Sequence, residues 1–203
     1  MPWTKEEMAS YTSTLFKDGS SVNLGIGLPS LVADYLDVTK NIMIHSENGV
    51  LGVEGRPLKG KASPTLINAG KETISINQSA SYFDSSLSFG MIRGGHLDYC
   101  VLGGMEVDIN GNLANWMIPG KKLTGMGGAM DLVNGAKNIF VLMSHFNKDG
   151  DSKIVKSTKL PLTGVGVVNE IITDLGHFKV HNGRIEVAML ADGVIYNDCK
   201  FNF

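Results

Sequence analysis

The sequence predicts an α/β fold: a single domain over residues 1–203, with a mostly parallel open sheet flanked by helices and antiparallel additions near its end. Three observations carry this. Strand, glycine-loop and helix signals follow one another twice, at 21–36 and 125–143. Apolar runs at 97–102 and 138–143 are nearly unbroken by polar residues, as in strands buried on both faces. Asn110-Gly111 and Asn182-Gly183 stand between alternating segments, which is the signature of tight hairpins.

The elements follow in order. Thr4 with Glu7 forms a capping box, and Met8, Tyr11, Leu15 and Phe16 recur at helical spacing until Asp18-Gly19. Ser21-Val22-Asn23-Leu24 reads as a strand and Gly25-Ile26-Gly27-Leu28-Pro29 as a tight loop. Ser30 to Leu36 then reads as a helix with Pro29 in its first turn. Asn41-Ile42-Met43-Ile44 is a second strand, running into the polar cluster His45-Ser46-Glu47-Asn48-Gly49. After the strand 97–102, Gly103-Gly104 precedes an alternating segment, Met105 to Ile109, whose return is Leu113-Ala114-Asn115-Trp116. A second glycine loop, Gly125 to Gly128, opens a short helix at Ala129, and the strand 138–143 follows. The remainder, Val168 to Val180 and Ile185 to Leu190, reads as strands joined at Asn182-Gly183.

Composition narrows the function. A net charge of −2 gives no global basic field for nucleic acid or an anionic membrane. The 203 residues can bury a core without staples, and Cys100 and Cys199 lie outside any zinc or disulfide spacing, so buried thiols are expected. No apolar stretch reaches a membrane span and no secretory signal opens the sequence, so a cytoplasmic location is expected. His177 and His181 are expected on one strand, roughly 13 Å apart at about 3.3 Å per residue, too far to share a metal. No metal site is therefore expected.

Glu47 is the leading candidate for chemistry. A carboxylate placed after a buried strand in a Ser-Glu-Asn-Gly turn can be desolvated and so act as nucleophile or base; the alternative is a solvated turn acid. The loop at Gly25 and Gly27 lacks the last glycine of a dinucleotide fingerprint, which Ser30 replaces, and no Gly-Lys-Ser/Thr follows, which disfavours nicotinamide and nucleotide triphosphates. His45 reads as a hydrogen-bonded strand-end residue, and Lys148 and Lys153 as solvated charges. Met91, Met105, Met126 and Met130 read as packing, with Met105 and Met126 beside glycines that could line a pocket.

Asn23-Leu24-Gly25-Ile26-Gly27-Leu28-Pro29, the Ser46-Glu47-Asn48-Gly49 tetrad, the run Gly103 to Gly120 with its Leu-Ala-Asn-Trp, and Gly125 to Leu132 occur together and in this order. In this combination the chain resembles the β-type half of family I 3-oxoacid CoA-transferases over nearly its whole length. The resemblance implies a CoA-transferase-like fold and transfer of CoA between a short-chain acyl-CoA and a 3-oxo or other short carboxylic acid. It implies a ping-pong route through an acyl-glutamyl anhydride and a glutamyl-CoA thioester on Glu47, as in ketone-body or short-chain fatty acid metabolism. Backbone N–H groups of Gly128 and Ala129, beside Gly127, are implied as oxyanion donors. Gly25, Gly27, Asn48, Gly104 and Met105 are implied around the substrate, and Lys148 and Lys153 near the CoA phosphates. Coenzyme A is a substrate in that reading, with no metal or other cofactor. A separate α subunit of the CoA-transferase is implied, making a heterodimer or heterotetramer. Two rivals remain at this point: a sugar-phosphate isomerase using Glu47 as base, and a non-catalytic sensor of acyl-CoA or sugar phosphate.

Overall fold

The computed structural model describes residues 1–201 and 203. Helix α1 (Lys5–Thr14) begins at the expected capping box, Thr4 accepting from the Glu7 N–H while Glu7 reaches back to Thr4. The strands are β1 (Ser21–Leu24), β2 (Met43–Ser46), β3 (Val50–Gly55), β4 (Ser75–Tyr82), β5 (Tyr99–Leu102), β6 (Glu106–Asp108), β7 (Leu113–Ala114), β8 (Met117–Ile118), β9 (Lys122–Leu123), β10 (Asn138–Leu142), β11 (Ile154–Val155), β12 (Val168–Thr173), β13 (Gly176–His181) and β14 (Arg184–Leu190). Helix α2 (Ser85–Arg93) lies between β4 and β5, and α3 (Ala129–Gly135) precedes β10.

The main sheet runs β14-β13-β12-β10-β5-β1-β2-β3-β4. Its centre, from β12 to β2, is parallel throughout, and both flanks are antiparallel. The flank at β12–β14 matches the expected strands, and its turn is the expected one, with Asn182 at φ 49° and Gly183 at φ 74°. The second flank, β3–β4, and helix α2 have no counterpart among the expected elements.

Burial on both faces explains the apolar runs. In β5, Cys100 and Leu102 enter one core with Ile92, Leu132 and Val141, while Tyr99 and Val101 enter the other with Met8, Phe16 and Val22. One core therefore lies under α2 and α3, the other under α1.

Three expected elements need correction. The segment expected as a helix over 30–36 is a 3-10 helix, Leu28–Tyr35, because Pro29 stands in its first turn and Gly27 provides no side-chain cap. Strand β2 lies two residues later than the apolar run suggests, since pairing with β1 sets its register: Ser21 sits opposite Met43 and Asn23 opposite His45. The return of the 105–116 hairpin ends at Ala114. Asn115 and Trp116 leave the ladder to bond the Gly103 and Leu162 carbonyls instead.

A candidate active site at the strand ends

Parallel strands β1, β2 and β5 point their carboxyl ends at one edge of the sheet, where open α/β folds bind ligands. Gly25 follows β1, Glu47 follows β2, and Gly103-Gly104 follow β5. The loop before α3 closes the opposite wall. Together they line a cleft of about 590 Å³ that contains Glu47, Gly25, Gly104, Met105, Gly127, Gly128 and Ala129.

Glu47 occupies the tight turn between β2 and β3, with Ser46 paired to Val50. Gly49 closes that turn at φ 109°, and a Cβ there would overlap the Phe83 carbonyl, so only glycine fits. The turn is tied down on its other sides as well: Phe83 N–H donates to the Gly49 carbonyl, the Gly49 N–H to the Ser46 carbonyl, and the Ala69 N–H to Ser46 Oγ. The Glu47 side chain is half-buried and faces Gly128. Burial pushes its carboxyl above the ordinary carboxylate range, Asp131 adds to the rise, and the Gly128 N–H bonded to it works the other way. The result is a desolvated carboxylate steadied by one backbone donor, in place of a solvated turn acid.

The other expected positions divide. Gly128 lies against the Glu47 carboxylate, and a Cβ would lie 2.5 Å from Oε2. The Ala129 N–H already donates to the Met126 carbonyl at 3.0 Å. Of the two donors that the resemblance implied, the Gly128 N–H is the one that reaches Glu47. Gly25 lines the cleft, yet its missing side chain serves the sheet too: a Cβ would press on the Val101 carbonyl and Leu102. Gly27 lies outside the cleft lining as cap of the 3-10 helix, and Asn48 turns outward to donate to the Ile67 carbonyl. Lys148 is exposed and away from the cleft; Lys153 lines an adjoining hollow with Lys5 and Asp174.

Ile26, Asn115, Thr124 and Met126 also line the cleft. Met126 follows the reading that flanking glycines give it; Asn115 has no sequence signal beyond its place in Leu-Ala-Asn-Trp. Among the described residues no group of three His, Cys, Asp or Glu side chains is placed to hold a metal ion, and no helix is long and apolar enough to cross a membrane. Cys100 and Cys199 are buried free thiols. His177 bonds Tyr11 and Glu170, and His181 bonds Asn182.

Residues 5–199 match the coenzyme A transferase family. The chain belongs to that family. The transferase chain is 53% identical over 196 residues to the B-type half of the succinyl-CoA:3-ketoacid coenzyme A transferase of Helicobacter pylori, covering 97% of this chain and 94% of the relative. It is 45% identical over 189 residues to the beta chain of the acetate CoA-transferase of Escherichia coli, covering 93% and 86%. An acyl-CoA transferase from Escherichia coli O157:H7 shares its fold with a TM-score of 0.74 at 19% identity, over 96% of this chain and 39% of that one. These matches make it an enzyme chain of the CoA-transferase class, which sets aside the isomerase and sensor alternatives.

Proposed function

We propose that this chain is the catalytic β half of a transferase that moves CoA between a short-chain acyl-CoA and a 3-oxo or related short carboxylic acid, with Glu47 as the nucleophile. What carries the reading is the Glu47 carboxylate: desolvated, rigidly mounted at the strand ends, and already engaged by the Gly128 N–H at the wall of the cleft.

In this mechanism a Glu47 oxygen attacks the thioester carbon, and the C–S bond breaks with its electron pair leaving on the CoA thiolate. The product is an acyl-glutamyl anhydride. The thiolate then attacks the glutamyl carbonyl, the donor acid departs as its carboxylate, and a glutamyl-CoA thioester remains. The acceptor carboxylate attacks this thioester and the steps run in reverse, so no proton needs to be moved by a separate base. When the thiolate adds to the glutamyl carbonyl, the negative charge develops on the glutamyl oxygen, where the Gly128 N–H can meet it. Such a donor contributes about 3 to 4 kcal/mol to a transition state of this kind.

The backbone of Gly25, Gly104 and Met105 would form the floor along which the acyl and thiol arms lie. The relatives named as B or beta halves of two-part enzymes support a separate α partner, covering the open side of the cleft. Residues 1–203 would act as one domain, in the cytoplasm, with coenzyme A entering only as substrate.

The direct test is to incubate the assembled enzyme with acyl-CoA alone. Mass spectrometry should find CoA attached to the peptide containing Glu47, and borohydride should reduce that thioester and abolish activity. An adduct on Glu54, Glu106 or any other carboxylate would defeat the assignment.

A further inference from the structure

Behind Glu47 the hydrogen bonds run in one direction only. The Asn23 Nδ2 lies 3.0 Å from His45 Nδ1 and 3.2 Å from the His45 carbonyl oxygen. A carbonyl can only accept, so the Asn23 amide must present its NH2 there, and His45 Nδ1 must therefore accept as well. The ring proton then sits on Nε2, 3.0 Å from Ser88 Oγ. Ser88, having accepted from His45, has its own proton free for the one remaining partner, the Glu47 backbone carbonyl at 2.8 Å. Thus one neutral tautomer satisfies every link from β1, through β2 and α2, to the residue that carries the reacting carboxylate.

The relay is sealed from solvent: Asn23 is 2% exposed, His45 1% and Ser88 0%. Phe83 stacks on the His45 ring with centroids 6.0 Å apart, which holds the imidazole plane. A buried chain of polar groups is a costly way to pack a strand end unless its fixed geometry serves something.

We propose that His45 and Ser88, oriented by Asn23, are positioning residues that hold the Glu47 peptide so that its carboxylate stays at attack distance beside Gly128. The inference rests on Glu47 being the nucleophile. None of the three touches the reacting atoms in this role; they act by fixing the Cα–Cβ direction of Glu47. A reacting group displaced by about 1 Å costs on the order of a hundredfold in rate, so the loss of one link should be visible in turnover.

Ser88→Ala in the assembled enzyme removes the link to Glu47, and Ser88→Cys keeps the volume while replacing the hydroxyl with a weak donor. Both are expected to lower kcat by about tenfold to a hundredfold with KM for acyl-CoA within about twofold. The CoA adduct should still map to Glu47 but form more slowly by the same factor. His45→Leu should behave alike, whereas His45→Gln, whose amide N–H can stand where Nε2–H stood, should recover most of the rate. Wild-type adduct formation in a folded Ser88→Ala or Ser88→Cys enzyme, or a rise in KM at constant kcat, would overturn the positioning role. Equal loss in His45→Leu and His45→Gln would overturn it too. Absence of any Glu47 adduct in the wild-type enzyme would instead overturn the nucleophile reading on which it rests.

Discussion

The Gly128 N–H donates to the Glu47 carboxylate, and a Cβ at position 128 would lie 2.5 Å from Glu47 Oε2 and 3.0 Å from Phe89 Cζ. Glycine is required there by the neighbouring side chains and not by backbone strain, since φ −81° and ψ 2° suit any residue.

Gly128→Ala should therefore fold normally and fail chemically. The methyl group pushes the carboxylate off its donor, and turnover should fall by about a hundredfold or more. Circular dichroism and melting of the variant should match the wild type; a folded Gly128→Ala enzyme with normal kcat would show that the contact is dispensable.

The raised pKa of Glu47 has a consequence for activity and another for stability. Only the ionised carboxylate attacks, so kcat/KM should fall on the acid side with an apparent pKa above the ordinary glutamate value of 4.5. Because the folded state holds the Glu47 proton more tightly than the unfolded chain, the folded state loses stability as the pH rises through that window, and at pH 7 the buried charge is a net cost. Glu47→Gln removes the charge and leaves an acceptor for Gly128, so its melting temperature at pH 7 should equal or exceed the wild type's while CoA exchange disappears. A marked drop in melting temperature would mean that the carboxylate is a structural anchor.

His45 titrates in the opposite sense. Burial lowers its pKa from 6.5 to about 4, so the unfolded chain takes up the proton first. The stability that neutral His45 contributes is complete above about pH 6.5 and is lost as pH falls to about 4, a total of about 3 kcal/mol. Urea unfolding at about pH 7 and about pH 4.5 should show the wild type losing more stability than His45→Gln over that interval. Parallel losses would rule out a buried neutral imidazole.

Gly49→Ala tests the turn itself. Its φ of 109° and the overlap with the Phe83 carbonyl should together cost at least about 2 kcal/mol and reduce activity through misplacement of Glu47. A stable, fully active Gly49→Ala enzyme would show that the turn can be remade.

Legibility of the site depended on range. Glu47 stands out because a carboxylate after a buried strand is a local pattern, and Gly128 because its motif is contiguous in sequence. The placing of Asn48 and Gly27 away from the cleft was not legible, because a turn residue's direction depends on which strand comes next, and β3 gave no alternation. Ser88 has no sequence signature at all: a serine on a short helix carries no signal until the helix is packed against β2.

What the sequence by itself determined was local and periodic. The capping box at Thr4, the apolar runs of β5 and β10 and the Asn182-Gly183 turn follow from side-chain spacing and backbone preference, so each was readable where it stands. Only the tertiary structure decided the register of β2, the antiparallel flank of β3 and β4, and the meeting of Glu47 with Gly128, 81 positions apart. Pairing register and long-range contact are set by which faces bury each other, a balance over the whole sheet that no single segment encodes.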